Sequence, residues 1–274
     1  MTDTLLDAMR AAKLGPVKDI DLPGDGKLRR YRVEGDKPGS RNGWFVSYSG
    51  PVAGGAFGSW KTGESHTWRE QSTRPQTPAE RAEIQRQLKD MQHARAAEQA
   101  MVQEAARDRA KRLWATSHPA TNTHPYLQRK HIGAYGIRRL RDMLLIPARD
   151  VNGTLHTLQF ITADGGKRFL TGGRIVGCYF AIGKPVDSLL LCEGLATGST
   201  LYAATGRAVA VCFSCGNLLP VARALRLKFP KLRLIVCADN DFQTPGNPGV
   251  THAKAAAAAV GGFVAVPKFP EAQA

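Results

Sequence analysis

From residue 188 onward the sequence repeats one unit, a short apolar run followed by a helix-forming stretch. The runs are Ser188-Leu-Leu-Leu-Cys192, Ala208-Val-Ala-Val-Cys212 and Leu232-Arg-Leu-Ile-Val-Cys-Ala238, and Phe263-Val-Ala-Val266 closes the series. Between them, helices are expected over 194–205, 217–228 and 250–260. Strands without polar alternation are buried on both faces, and strands joined in parallel need a crossover of about a dozen residues, usually a helix. The segment therefore reads as a parallel α/β sheet with helices on both faces.

The preceding region has a different pattern. Met143–Ala148, Leu155–Ile161, Arg168–Leu170 and Ile175–Ile182 read as short strands, with Asn152-Gly153 as a hairpin turn. Just upstream, Arg129, Lys130, Arg138, Arg139 and Arg141 face a single acid, Asp142, in the densest positive stretch of the chain. Residues 77–116 read as one long helix. Thr77-Pro78-Ala79-Glu80 is a capping-box pattern with Pro at the first helical position, and neither Gly nor Pro follows until Pro119. Its apolar stripe is thin (Ile84, Leu88 and Met91, then Met101, Val102 and Ala105, ending in Leu113 and Trp114), which suits a bridge between domains. A coiled-coil dimer is the other reading, but the stripe fails at Arg95 and Glu98.

Residues 1–73 are strand-and-turn material after a short amphipathic segment at Leu5, Leu6 and Met9. Leu28–Val33, Gly43–Tyr48 and Gly55–Trp60 alternate in the manner of a small antiparallel sheet. Lys27, Arg29, Arg30, Arg32, Lys37, Arg41 and Lys61 are interleaved there with Tyr31, Trp44, Phe45, Tyr48 and Trp60. Two readings stand side by side. Arg30, Arg32, Trp44 and Trp60 bind single-stranded DNA, cations on phosphates and rings on bases, or the aromatics are the core of the sheet. The fold class is thus α/β and α+β, with four segments: a β-rich module at 1–75, the helix at 76–117, a basic mixed α/β subdomain at 118–186 and the parallel sheet at 187–274.

Composition narrows the function. The 274 residues carry 38 Lys and Arg against 23 Asp and Glu, a net charge of +15 that points to a polyanionic partner, most often nucleic acid. No apolar run approaches the roughly 18–20 residues of a membrane helix, and no export signal opens the chain, so a cytoplasmic location is expected. The five cysteines (Cys178, Cys192, Cys212, Cys215, Cys237) read as reduced thiols. Cys212 and Cys215 have CxxC spacing, but no second ligand pair exists for zinc, and Gly216-Asn217 reads more simply as the turn after a buried strand than as part of a redox motif.

Acids stand where two of the buried strands end. Glu193 follows Leu189-Leu-Leu-Cys and precedes Gly194, and Asp239 and Asp241 follow Leu234-Ile-Val-Cys-Ala. Ligands of open α/β sheets bind at the carboxyl ends of strands, so the three carboxylates are expected to converge on one rim. Oxygen ligands in this pattern select Mg²⁺ or Mn²⁺, and Gly194 lets a phosphate or metal approach the backbone closely.

LLLCEGLATGSTL followed by LIVCADND resembles the Toprim domain shared by bacterial-type primases, topoisomerases and some nucleases. The block HPYLQRKHIGAYGIRRLRDMLLIPARDVNGTLHTLQFITADGGKRFLTGG looks like the basic, RNA-polymerising half of a bacterial-type primase core. Together these cover roughly residues 118–266. NGWFVSYSGPVAGGAFGSWKTG is similar to the zinc-free front module of plasmid- and phage-borne primases.

The resemblance implies a DNA primase that makes short RNA primers on single-stranded DNA for plasmid, phage or other mobile-element replication. Glu193, Asp239 and Asp241 would be its catalytic metal ligands, and Lys167, Arg168, Gly194 and Lys254 its nucleotide phosphate contacts. Arg129, Lys130, Arg138, Arg139 and Arg149 would line the template groove. The implied partners are a single-stranded template, NTPs and a replicative helicase or other replication protein, with no membrane.

The sequence departs from the family pattern in four places: Thr197 replaces a further acid, an extended loop runs from Phe242 to Gly249, only Glu271 follows the final strand, and no helicase segment follows. A compact stand-alone enzyme and a piece of a longer one both remain open. The alternatives are a single-strand-binding protein with a degenerate Toprim fold and a Toprim nuclease, although no GxxxxGK[ST] is present for an accompanying ATPase. A topoisomerase would need a strand-passage domain for which there is no room.

Overall fold

The computed structural model describes residues 4–49, 53–70 and 77–267, in two compact units, Met1–Met101 and Val102–Ala274. Glu271 lies outside the described residues.

The first unit begins with α1 (Leu5–Ala11), opened by a capping box between Thr4 and Asp7. Four strands follow, β1 (Arg29–Tyr31), β2 (Gly43–Tyr48), β3 (Gly54–Ser59) and β4 (Ser65–Arg69), antiparallel in that order. Alternation along β2 divides its side chains between two faces. Phe45 joins Leu5, Met9, Tyr31 and Phe57 on one face, and Trp44 and Val46 join Ala56 and Met91 on the other. Gly58 allows this packing, because a Cβ there would sit 2.8 Å from the Trp44 ring and 2.2 Å from the Glu64 carbonyl. The sequence pattern showed three strands. β4 escaped it because Ser-His-Thr-Trp-Arg is an exposed edge strand with no apolar alternation.

The long helix α2 runs Pro78–Thr116, opened as expected by the reciprocal Thr77–Glu80 capping box. The boundary between the units falls inside it, after Met101.

The second unit holds two five-stranded sheets. The first comprises β5 (His118–Pro119), then α3 (Pro125–Lys130), β6 (Arg138–Leu140), β7 (Met143–Arg149), β8 (Leu155–Ile161) and β9 (Lys167–Phe169), antiparallel in sequential order. One face, with Leu145, Leu158 and Phe160, packs on Ala110, Leu113 and Trp114 of α2.

The second sheet is built from β10 (Phe180–Ile182), β11 (Ser188–Cys192), α4 (Leu195–Thr205), β12 (Ala208–Val211), α5 (Leu218–Lys228), β13 (Arg233–Cys237), α6 (Pro248–Ala259) and β14 (Phe263–Ala265). Its strand order is β10-β12-β11-β13-β14, parallel throughout except for β10. Alternation again sorts the faces. Leu189, Leu191, Leu234 and Val236 lie against α5 and α6. Leu190, Cys192 and Val209 lie against Leu144, Ile146 and Ile161 of the first sheet, with Leu195 of α4 beside them. Of the expected strand Ile175–Ile182, only the last three residues form one, and it belongs to the second sheet. Residues 175–178 are instead held as a loop by the Asn217 side chain.

Candidate active site

β11 and β13 are adjacent and parallel, with Leu191 opposite Val236, so Glu193 and Asp239 leave neighbouring strand ends on one rim. Asp239 and Asp241 sit on a turn that the extended loop braces. The Asp241 N–H donates to Asn247 Oδ1 at 3.0 Å, and the Asn247 side chain donates to Asn240 Oδ1 at 2.8 Å. The first turn of α6 presses on the same turn. A Cβ on Gly249 would lie 2.2 Å from the Asp239 carbonyl oxygen and 3.1 Å from Asp241 Oδ2, so only glycine fits.

The carboxylates repel one another in a partly buried setting. Burial, then Asp239 and Asp241, push Glu193 up to about 7, opposed by the dipole of the Cys215 backbone N–H. Glu193 Oε1 is buried with no hydrogen-bond partner. Burial and Asp241 also raise Asp239, against the Thr197 hydroxyl, 3.5 Å from Oδ1, and the positive charge of Lys167. Among the described residues no three His, Cys, Asp or Glu side chains are gathered closely enough to form a ready-made metal cage. The donor chemistry nevertheless fits a hard divalent cation: oxygen ligands only, one of them buried and unpartnered, with charge that a cation would relieve.

Lys167 and Arg168, both expected at phosphate, part company. Lys167 is paired with Ile161 and shares its face, towards the carboxylates. Arg168 is paired with Phe160 on the other face, its guanidinium 4.8 Å from that ring and 3.7 Å from Met143 Sδ. The expectation for Arg168 at nucleotide phosphate is thus corrected, because strand alternation turns it away. Phe169, on the Lys167 side, meets Phe213 edge-on at 5.4 Å. Phe213 has φ 73°, an uncommon conformation for a bulky residue. Gly194 caps α4 with no side-chain bond, and a Cβ there would meet only Thr197 Oγ1 at 3.8 Å, so the approach to its backbone is open. Lys254 is exposed on α6.

The basic residues divide in the same way. Arg129, Lys130 and Arg139 are exposed, Arg129 reaching the Ala163 carbonyl at 3.0 Å. Arg138 and Arg149, expected in a template groove, are instead built into the scaffold. Both guanidiniums flank the Trp114 ring, at 4.8 and 5.9 Å, and donate to the Trp114 and Gly153 carbonyls.

In the first unit, Trp44 is 2% exposed, under the Arg95 guanidinium at 5.0 Å and against Trp60 at 5.7 Å. Base stacking by Trp44 is therefore corrected to a core role. Trp60, partly exposed, packs in the same cluster. Arg30 and Arg32 donate to the Arg41 and Asp36 carbonyls. Charge follows the same division. Residues 102–274 carry 22 Lys and Arg against 10 Asp and Glu, and residues 1–101 carry 16 against 13. Sequence reasoning missed Cys215, Asn217 and Gly249. Of these, only Pro248-Gly249, at a helix start beside an Asp-x-Asp turn, left a local signal.

All five cysteines are free, and burial raises the Cys212 thiol, so Cys212 and Cys215 do not form a reactive redox pair. Among the described residues no helix is long and apolar enough to cross a membrane.

Comparison with known proteins gives two close sequence relatives, both called DNA primase TraC and both from Escherichia coli. One is 36% identical over a 282-residue alignment that takes in 97% of this chain, the other 35% over 257 residues and 89% of it. The chain is homologous to part of a TraC-type primase. It spans 19% and 24% of the length of these two relatives. No family model matches. Among solved structures, the primase fragment of the bacteriophage T7 primase-helicase protein superposes at TM-score 0.41 with 13% identity, over 56% of this chain and 66% of that one. A DNA primase domain from Pseudomonas aeruginosa superposes at TM-score 0.34 with 16% identity, over 50% of this chain and 46% of that one. Scores this low leave the folds only loosely superposed.

Proposed function

We propose that this chain is the primer-synthesising part of a plasmid-type DNA primase, joining ribonucleotides on a single-stranded DNA template, and that residues 187–267 form a Toprim domain. The observation that carries the reading is the rim at β11 and β13. Glu193 is pushed up to about 7 by burial and by Asp239 and Asp241, with one oxygen left unpartnered. Homology to the TraC primases over nearly the whole chain supports it.

Glu193, Asp239 and Asp241 would hold Mg²⁺ or Mn²⁺, which, when bound, neutralises charge on the triphosphate and on the pyrophosphate leaving group. The chain's own residues do the positioning. The Thr197 hydroxyl orients Asp239, and Lys167, on the same side, meets triphosphate oxygens. The first-turn N–H groups of α4, left uncapped at Gly194, donate to phosphate oxygens. Arg129, Lys130 and Arg139 track the template backbone as an exposed cationic surface. Arg138, Arg149 and Trp44 serve the scaffold.

The test is a primer-synthesis assay with single-stranded DNA of varied sequence, labelled NTPs and Mg²⁺ or Mn²⁺. The wild type is compared with the Asp239→Asn/Asp241→Asn double variant. Short RNA products from the wild type alone are expected. Single-strand binding without products from either protein would replace this reading with that of a DNA-binding relative.

A further inference from the structure

The Asn217 side chain, 4% exposed and remote in sequence from every acid of the rim, makes four hydrogen bonds to backbone. Its Oδ1 accepts from the Gly177 N–H at 2.8 Å. Its Nδ2 donates to the carbonyls of Cys212 at 2.8 Å, Cys178 at 2.9 Å and Ile175 at 3.3 Å. One amide therefore joins two otherwise separate segments. Residues 175–178 descend from β9, the strand of Lys167. Residues 212–217 form the turn between β12 and α5.

That turn reaches the rim twice. The Cys212 N–H donates to the carbonyl of Cys192, the residue before Glu193, at 2.8 Å, and Phe213, in its left-handed conformation, meets Phe169 on the face that Lys167 shares. A turn with a bulky residue at positive φ persists only where its surroundings hold it there. Asn217 supplies that hold through the Cys212 carbonyl.

We propose that Asn217 is a positioning residue for the cation site. By clamping the 212–217 turn to the 175–178 loop, it fixes Cys212, and through it the Cys192 backbone that leads into Glu193, and so sets where that carboxylate stands. The inference rests on the reading of Glu193, Asp239 and Asp241 as cation ligands. A buried asparagine that merely stabilises the fold would look the same by melting temperature, so the test must isolate its action through Glu193.

The experiment is a double-mutant cycle on the full chain. Mn²⁺ affinity is measured by electron paramagnetic resonance at one fixed pH for the wild type, Asn217→Ala, Glu193→Gln and the double variant. Asn217→Ala is expected to weaken Mn²⁺ binding about 10-fold in the wild-type background. In the Glu193→Gln background it is expected to weaken it by less than about 2-fold, because the group through which it acts is gone. Equal losses in both backgrounds, or no loss in a variant that circular dichroism shows to be folded, would overturn the proposal. A wild type that takes up no Mn²⁺ would overturn the cation reading itself, and this inference with it.

If Asn217→Ala does not fold, amide hydrogen exchange on the wild type decides. The Gly177 amide, bonded to the Asn217 side chain, and the Asn217 amide, bonded to the Ser214 carbonyl within the turn, are expected to open together. Exchange rates differing more than about 10-fold would show that the clamp does not act as a unit.

Discussion

Lys167 and Arg168 are consecutive in sequence and lie on opposite faces of one sheet, Lys167 beside Ile161 and towards Asp239, Arg168 over the Phe160 ring. The two cations therefore have separable roles. Lys167→Ala is expected to raise the KM for NTP about 10-fold or more, the loss of one charge-assisted contact to phosphate. Arg168→Ala is expected to leave that KM within about 2-fold and to cost about 0.5–1 kcal/mol of stability from the lost contact with the ring. Steady-state primer synthesis and a denaturant titration on the two variants check both.

Trp44 tests the division between core and nucleic-acid contact in the first unit. It is 2% exposed and packs with Val46, Ala56 and Met91. Trp44→Ala is expected to cost about 3–5 kcal/mol, in the range for deleting a buried aromatic. Trp44→Phe keeps most of the volume and is expected to bind single-stranded DNA within about 2-fold of wild type. A large loss of binding by folded Trp44→Phe, seen by fluorescence anisotropy, would return the residue to the interface.

The parts that sequence made legible are those with a one-dimensional signature. Continuous apolar runs separated by helix-length gaps gave the parallel sheet, and acids at two strand ends gave the rim. What stayed hidden depends on three-dimensional parity and on partners distant in sequence. A one-residue slip in pairing exchanges the two faces of a strand, so Lys167 and Arg168 could not be told apart before the β8–β9 register was known. Basic and aromatic residues interleave around Trp44 in the way of a binding surface, and nothing local marks the helix that covers it. Asn217 follows a glycine and reads as a turn. Its partners at 175–178 lie in a stretch apolar enough to pass for a strand.

Glu193 makes stability depend on pH in a definite direction. Its carboxyl is raised from 4.5 to about 7 in the folded chain. Between those values the folded state holds a proton that the unfolded state has released, so stability falls as pH rises through the window. With partial exposure discounted, the contribution is of order 1–2 kcal/mol. The metal-free wild type is expected to lose this increment between pH 5 and pH 8 relative to Glu193→Gln, which cannot ionise there. Thermal melts of both proteins at the two pH values give the difference. Added Mn²⁺ is expected to restore more stability at pH 8 than at pH 5, since the cation and the proton compete for the same oxygens.

Salt dependence separates the cations that meet nucleic acid from those that hold the fold. Each phosphate neutralised on a single strand contributes about 0.7 to the slope of log affinity against log salt. Arg129, Lys130 and Arg139 are exposed. Replacing all three with alanine is expected to lower that slope by about 2 and to weaken binding to every sequence alike. Arg138 and Arg149 lie against Trp114 and are bonded to backbone carbonyls. Arg138→Ala is expected to leave the slope unchanged and to lower the melting temperature, because the Trp114 ring loses the guanidinium stacked on it and the Trp114 and Ser117 carbonyls lose one charged donor. If the slope instead falls with Arg138→Ala and holds in the triple variant, the template runs over the Trp114 side of the antiparallel sheet, and the exposed cations near α3 are solvated surface.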